Sequence, residues 1–303
     1  MPAHAAKIYR IGGLVMTDEF LPTFEGFKKA MAEAGYKEGK TVVYELHNAR
    51  GDGAALQSLA RQLAQGRPDL IVTTSSASTA PVARATAGTA IPVVFLGAGE
   101  PLKFVKSYAS SGNNLTGIST AVLDLTEKRL ELLKEIAPSV KRVALLANPL
   151  GVTYEDHLVA VKEGCKKLHF YLLQRNASNR EQLEKVAAAL TRKATDAIIL
   201  QPDAMLGRNI DIVAEQSIRE KLSLIPPPAF IRNGGLATYG PDNAALGRQG
   251  AILVDKILKG ARPADLPVEQ PAKLNLVINL KTARAIGLKI PRDVFLRADL
   301  VLE

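Results

Sequence analysis

Thr73-Thr74-Ser75-Ser76-Ala77-Ser78-Thr79 carries six hydroxyls in seven residues, between the apolar run Leu70-Ile71-Val72 and a helical stretch. Hydroxyls this dense at a helix start are donors for an anion. The free N–H groups of the first turn point the same way, and the helix dipole favours negative charge. A carboxylate or a phosphate fits such a loop. The plainer alternative is a serine that caps the helix. One cap accounts for one hydroxyl and leaves five, so Thr74, Ser75, Ser76 and Ser78 are read as ligand-binding residues.

Other candidates also follow apolar runs, because ligands of doubly wound sheets sit beyond the carboxyl ends of the strands. Gly97-Ala98-Gly99-Glu100-Pro101 follows Ile91–Leu96. It lacks the third glycine of a dinucleotide fingerprint. Gly97 and Gly99 permit close approach of a ligand to the backbone, and a plain turn explains them equally well. Thr17 and Asp18 follow the first run, where Asp18 has helix capping as its default role. Asn148 to Tyr154, including Thr153, follows another run, Gln201-Pro202-Asp203 a third and Pro226-Pro227-Pro228 a fourth. Asp203 either accepts a ligand ammonium or caps a helix. Tyr154, Phe230 and Tyr239 are the rings available for an aromatic ligand, although Tyr154 also begins the apolar stripe of its helix. Cys165 lies on that stripe and reads as packing.

Catalytic patterns are thin. No Gly-x-Ser-x-Gly elbow, Walker loop or kinase signature occurs. The chain has four histidines and no HExxH pattern, and His47, His157 and His169 fall within strands or helices. A single cysteine excludes an intrachain disulfide and a Cys-rich zinc site. A binding protein without metal or cofactor is expected, not an enzyme.

The elements that carry these loops alternate. Lys7–Val15 reads as a strand; Phe20, Phe24, Phe27 and Met31 mark one helix face that stops at Gly35. Thr41–Leu46 is a strand, Leu56, Leu59 and Leu63 a helix, Leu70–Val72 a strand, and Ala80–Ala87 a helix with Pro81 in its first turn. Ile91–Leu96 is a strand. After Thr120 the rhythm repeats: helix Thr126–Ile136, strand Arg142–Ala147, a helical stripe from Tyr154 to Leu168, and a capping box at Ser178–Glu181. Strand Ala197–Leu200, helix Asn209–Lys221 and strand Leu224-Ile225 follow. Gly234–Gly240 and Leu274–Ile278 read as strands, Ala244–Lys259 and Lys281–Ile286 as helices. Alternation of this kind, with continuous apolar runs, is the pattern of parallel α/β sheets, here in two similar halves.

Composition agrees. The chain has 303 residues, 47% hydrophobic and 23% charged, which excludes a disordered chain. No apolar run approaches the ~18 residues of a membrane span. The net charge is +9, but basic residues cluster only in pairs such as Lys28-Lys29 and Lys166-Lys167, among acids. That is a solvated surface and no nucleic-acid face. Met1 to Lys7 has no basic start followed by an apolar stretch, so no signal peptide is read there, and His4-Ala5-Ala6 is a weak hint of a cleavage region.

The chain resembles the family of ABC-transporter substrate-binding proteins, whose characterised relatives include tryptophan- and phenylalanine-binding members. The resemblance rests on Ala34-Gly35-Tyr36-Lys37-Glu38-Gly39-Lys40, Ile91-Pro92-Val93-Val94-Phe95, Asn114-Leu115-Thr116-Gly117-Ile118-Ser119 and Lys128-Arg129-Leu130-Glu131-Leu132-Leu133. It continues in Gly234 to Gly240, in Asn275-Leu276-Val277-Ile278-Asn279-Leu280-Lys281-Thr282-Ala283 and in Ala285-Ile286-Gly287-Leu288. It implies a type I periplasmic-binding fold: two doubly wound parallel-sheet α/β lobes joined by three crossings, with the ligand in the cleft between them. Lobe 1 would be residues 1–119 and 238–270, lobe 2 residues 120–237 and 271–303. Crossings would fall near Ser119-Thr120, Ala237-Thr238 and Pro271. By the same resemblance Thr74-Ser75-Ser76 holds a ligand carboxylate, Gly97–Pro101 is the next pocket loop, and Ser119, Asn148, Asp203 and Tyr239 lie near the cleft. The family more often has Asp at the position of Glu100.

The function implied is the periplasmic solute-binding component of an ABC importer. It would be a monomer that takes a small carboxylate, an amino acid or an aromatic or aliphatic acid, and docks on a membrane permease. A ligand-sensing subunit on the same fold is the alternative, with a small-molecule enzyme behind it. A repressor of this fold would need a DNA-binding segment before the first strand, which starts near Lys7.

Overall fold

The computed structural model describes residues 7–303; Met1–Ala6, read above for a leader, lies outside the described residues. In chain order the first elements are β1 (Tyr9–Val15), α1 (Leu21–Glu33), β2 (Val42–Asn48), α2 (Gly53–Gln65), β3 (Leu70–Thr73), α3 (Ser76–Ala85), β4 (Val93–Ala98) and β5 (Leu115–Ser119). Then come α4 (Thr126–Ile136), β6 (Arg142–Ala147), α5 (Tyr154–Leu168), β7 (Tyr171–Asn176), α6 (Arg180–Ala188), β8 (Ala197–Leu200), α7 (Ala204–Arg208), α8 (Ile210–Arg219), β9 (Ser223–Ile225) and β10 (Ala237–Pro241). The last are α9 (Asn243–Leu258), β11 (Leu274–Asn279), α10 (Leu280–Ala285), α11 (Arg292–Leu296) and β12 (Leu300–Leu302).

The chain forms two compact units. One takes residues 7–120 and Asn243–Ala272, the other Ala121–Asp242 and Lys273–Glu303. The crossing expected at Ala237-Thr238 lies within β10, whose antiparallel pairing with β11 keeps Thr238 to Asp242 with the second unit.

The first unit is a five-stranded parallel sheet in the order β2-β1-β3-β4-β5. Its central strands β3 and β4 are buried along their whole length, because helices cover both faces. Ile11, Val15, Phe24, Phe27, Val72, Val94, Leu96 and Val254 belong to its core. Helices α1 and α9 touch backbone to backbone. A Cβ on Gly247 would collide with the Thr23 carbonyl, and one on Gly26 with the Ala244 carbonyl.

The second unit has a four-stranded parallel sheet, β7-β6-β8-β9, and a three-stranded sheet, β10-β11-β12. Leu130, Leu133, Val143, Leu145, Val161, Cys165, Ile199 and Ile278 share its core. Cys165 is buried there, and burial pushes its thiol up to about 11. That favours the neutral, unreactive form.

Helix α3 starts earlier and helix α6 later than expected, for reasons their caps show. Helix α3 begins at Ser76, not Ala80, because Ser75 and Ser78 close a capping box, and Pro81 lies inside the helix. Helix α6 is capped by Asn179, whose side chain accepts from the Gln182 N–H, while Gln182 Oε1 takes the Ser178 N–H. The cap is therefore Asn179, one residue later than Ser178, and Gln182 reaches back past it to the Ser178 N–H, so the reciprocal bond of a capping box is not formed. Strands β5, β7 and β12 and helices α7 and α11 were not anticipated.

Candidate functional site

In the first unit β1, β3 and β4 are neighbours, and their carboxyl ends lead into Thr17, Thr74–Ser75 and Gly97–Glu100. The hydroxyl loop is largely engaged with itself. Ser78 N–H donates to Ser75 Oγ (3.3 Å) and Ser75 N–H to Ser78 Oγ (3.1 Å), the two halves of the box. Thr79 Oγ1 donates to the Ser75 carbonyl (2.8 Å) and lies 2.7 Å from Thr73 Oγ1. Ser76 Oγ accepts the Gly99 N–H at 2.7 Å and donates to Glu100 Oε2 at 3.3 Å. The count of six hydroxyls therefore overstates the donor set. A capping box uses two, and bonding back to the preceding turn uses more.

Thr74 is the exception. Its Oγ1 is buried without a hydrogen-bond partner, and so is Thr17 Oγ1 on the neighbouring strand end. Buried polar atoms are nearly always paired, so each such hydroxyl calls for a reason. Glu100 is buried with its carboxylate on Ser76, near the start of α3. Gly97 has φ +151, and its Cβ would lie 3.3 Å from the Thr74 carbonyl, which ties the two loops closely together. The constellation thus offers hydroxyl donors and a buried carboxylate acceptor. Ser119 closes β5, buried, with its N–H on the Glu269 carbonyl. Asp18 is exposed and accepts from Asn48 Nδ2 at 2.6 Å.

In the second unit the ends of β6 and β8 are cross-linked. The Asn148 N–H donates to Gln201 Oε1 (2.6 Å), Gln201 Nε2 to Thr153 Oγ1 (3.0 Å), and Thr153 Oγ1 to the Pro202 carbonyl (2.9 Å). Asn148 Nδ2 donates to Asp203 Oδ2 at 3.1 Å, and Asp203 Oδ1 caps α7 through the Leu206 N–H at 3.0 Å. Burial raises the Asp203 carboxyl above its ordinary range, against the pull of those hydrogen bonds. Gln201, fully buried, is the hub of this network; the sequence names it only within the run Gln201-Pro202-Asp203 and gives it no role. The one available signal was a long polar residue directly after the apolar run Ala197–Leu200.

The three rings differ in setting. Tyr154 OH accepts from Gln174 Nε2 (2.8 Å) and Asn176 Nδ2 (3.3 Å), with its ring against the core. Tyr239 is half-buried on β10. Phe230 is buried with its ring on Gly207, where a Cβ would collide with it, so packing is what the structure shows for it. Among the described residues no group of three His, Cys, Asp or Glu side chains could hold a metal ion.

The sequence profile described as "ABC transporter substrate binding protein" matches residues 11–302. The chain belongs to this family. The substrate-binding protein is 25% identical over 268 residues to the tyrosine-binding protein of Clostridioides difficile (strain R20291), covering 88% of this chain and 76% of that one. It is similar to the ABC domain from Streptococcus pneumoniae solved in complex with L-Trp, at TM-score 0.87 and 25% identity, over 98% of this chain and 100% of that one. It also resembles a conserved domain protein of Vibrio cholerae O1 biovar El Tor, at TM-score 0.86 and 27% identity, again over 98% and 100%. The substrate-binding protein has the type I periplasmic-binding fold. Among its described residues no helix is long and apolar enough to cross a membrane.

Proposed function

We propose that this substrate-binding protein takes an amino acid for an ABC importer. The ligand carboxylate is received by the Thr17 hydroxyl after β1 and the Thr74 hydroxyl before α3, and the ammonium by Glu100. The observation that carries this is the pairing of two unpartnered buried hydroxyls with a buried carboxylate at neighbouring strand ends. A zwitterion needs both kinds of group, whereas a plain acid needs only the donors. The tyrosine-binding relative and the L-Trp complex point to the same class and to an aromatic side chain. Asn148, Asp203, Tyr154 and Tyr239 of the second unit are the further candidates, and the two units are the two lobes of the fold. The protein works outside the cytoplasm, as a monomer that docks on a membrane permease.

Calorimetry with L-tryptophan, L-tyrosine and L-phenylalanine tests this, beside tryptamine and indole-3-propionate, which lack the carboxylate and the ammonium respectively. Binding of at least one amino acid is expected, with at least a tenfold loss for either truncated analogue. Glu100→Gln should weaken the amino acid by about tenfold, the loss of one charge-assisted hydrogen bond at roughly 1.5–3 kcal/mol, and should leave indole-3-propionate unchanged. Equal affinity for an amino acid and both analogues would sink the assignment.

A further inference from the structure

Arg129 on α4 is among the largest fully buried side chains of the protein, at 1% exposure, and it forms no ion pair with any described residue. Its side chain runs back over the first turn of its own helix. There Nε donates to the Leu125 carbonyl at 3.4 Å and Nη2 to the Val122 carbonyl. Nη1 has no partner. Two carbonyl dipoles satisfy donors but do not cancel a charge. Desolvation lowers the guanidinium only to about 10, so it stays protonated at neutral pH. The location adds to the cost. The N-terminal end of a helix carries positive partial charge, and Leu125 at the cap position offers no side-chain acceptor.

On the neighbouring helix the group that feels the Arg129 charge is His157. His157 on α5 is completely buried, and both of its ring nitrogens lack partners. Burial, and then the charge of Arg129, hold it at about 3, so it is neutral and carries one N–H. A buried cation with no counter-ion is among the costliest arrangements a protein keeps. Here three polar nitrogens on two side chains are left unpaired together. The second nitrogen of a neutral imidazole is an acceptor, which no anion can pair. The charge and the free donors are answered by one small anion. It neutralises the guanidinium, accepts Nη1–H and the imidazole N–H, and sits where a helix start favours negative charge.

We propose that Arg129 and His157 form a buried site in the second unit for one small monovalent anion, either a free halide or the carboxylate of a bound solute. The halide source is independent of the amino-acid reading, whereas the carboxylate source would move the ligand carboxylate from Thr17 and Thr74 to Arg129 and replace that part of it. Crystals of the full chain soaked in sodium bromide are expected to show an anomalous peak within hydrogen-bonding reach of Arg129 Nη1. The peak should vanish in Arg129→Met, which removes the charge at similar length. A second soak with saturating L-tryptophan separates the two sources. A peak displaced by the amino acid assigns the site to the solute carboxylate, and a peak kept beside it assigns a free halide. If no bromide peak forms, only the carboxylate source remains. It requires at least a tenfold loss of L-tryptophan affinity in Arg129→Met that Arg129→Lys restores. No peak, with Arg129→Lys no better than Arg129→Met, overturns the site. Should L-tryptophan fail to bind at all, the amino-acid reading is in question and the bromide arm alone decides this one.

Discussion

Thr74 and Ser75 are adjacent hydroxyl residues with opposite roles. Ser75 Oγ caps α3, whereas Thr74 Oγ1 is buried without a partner. Thr74→Val keeps the shape and removes the unsatisfied oxygen. It should leave stability equal or raise it by about 1 kcal/mol, because an unpaired buried hydroxyl is a penalty, while weakening the amino acid about tenfold or more. Ser75→Ala should do the reverse, costing about 1 kcal/mol for the lost cap with little change in affinity. Urea denaturation and calorimetry on the two variants read both quantities. Asp196 gives a pH test. Burial pushes its carboxyl up. The Arg142 guanidinium (2.8 Å) and the Arg142 and Lys141 N–H groups (2.9 and 3.1 Å) outweigh that and bring it down to about 2. A carboxyl lower in the folded than in the unfolded chain stabilises above the unfolded value, near 4, and loses that contribution as pH falls towards 2. Asp196→Asn should therefore cost about 2 kcal/mol at pH 7, and the gap to the native chain should close between pH 4 and 2. A gap independent of pH would show that the hydrogen bonds act without the charge.

Elements with one dominant period were legible. The helix Thr126–Ile136 and the strands Arg142–Ala147 and Ala197–Leu200 have the bounds their apolar patterns indicate. Those that escaped lack a simple pattern. Strand β7 lies at a sheet edge, half-exposed along its length, so no face of it is consistently apolar. Strand β5 is short and interrupted by Gly117, where a Cβ would collide with the Phe95 carbonyl on the paired strand β4. Close approach of two strands requires that glycine, and local sequence cannot display the approach. The same logic applies to α1 and α9. Gly247→Ala should destabilise the first unit by about 3 kcal/mol through overpacking against the Thr23 carbonyl, although alanine is the better helix former. Thermal or urea unfolding checks it; a neutral result would mean the helices can separate without loss.

The chain passes between its two units three times, after Thr120, Asp242 and Ala272. A ligand bound by the folded chain and not by the unfolded one stabilises by mass action. An amino acid at 100 times its dissociation constant should add about 2.7 kcal/mol, seen as a rise in melting temperature that tryptamine at the same concentration does not reproduce. What residue order alone determined here is what depends on short range. Alternating apolar runs specify parallel α/β layers, a Ser or Asn before a polar helix start specifies a cap, and quoted segments such as Asn275–Ala283 carry the family. The tertiary structure decided which polar atoms remain free. Ser76 meets Glu100 across 24 positions of sequence and Asn148 meets Gln201 across 53, while the Arg129 guanidinium meets no carboxylate. Hydrogen-bond partners are allotted among all groups that folding brings within reach. Six hydroxyls in seven residues therefore announce a polar loop, and only the packed neighbours show that the Thr74 hydroxyl is buried with no partner.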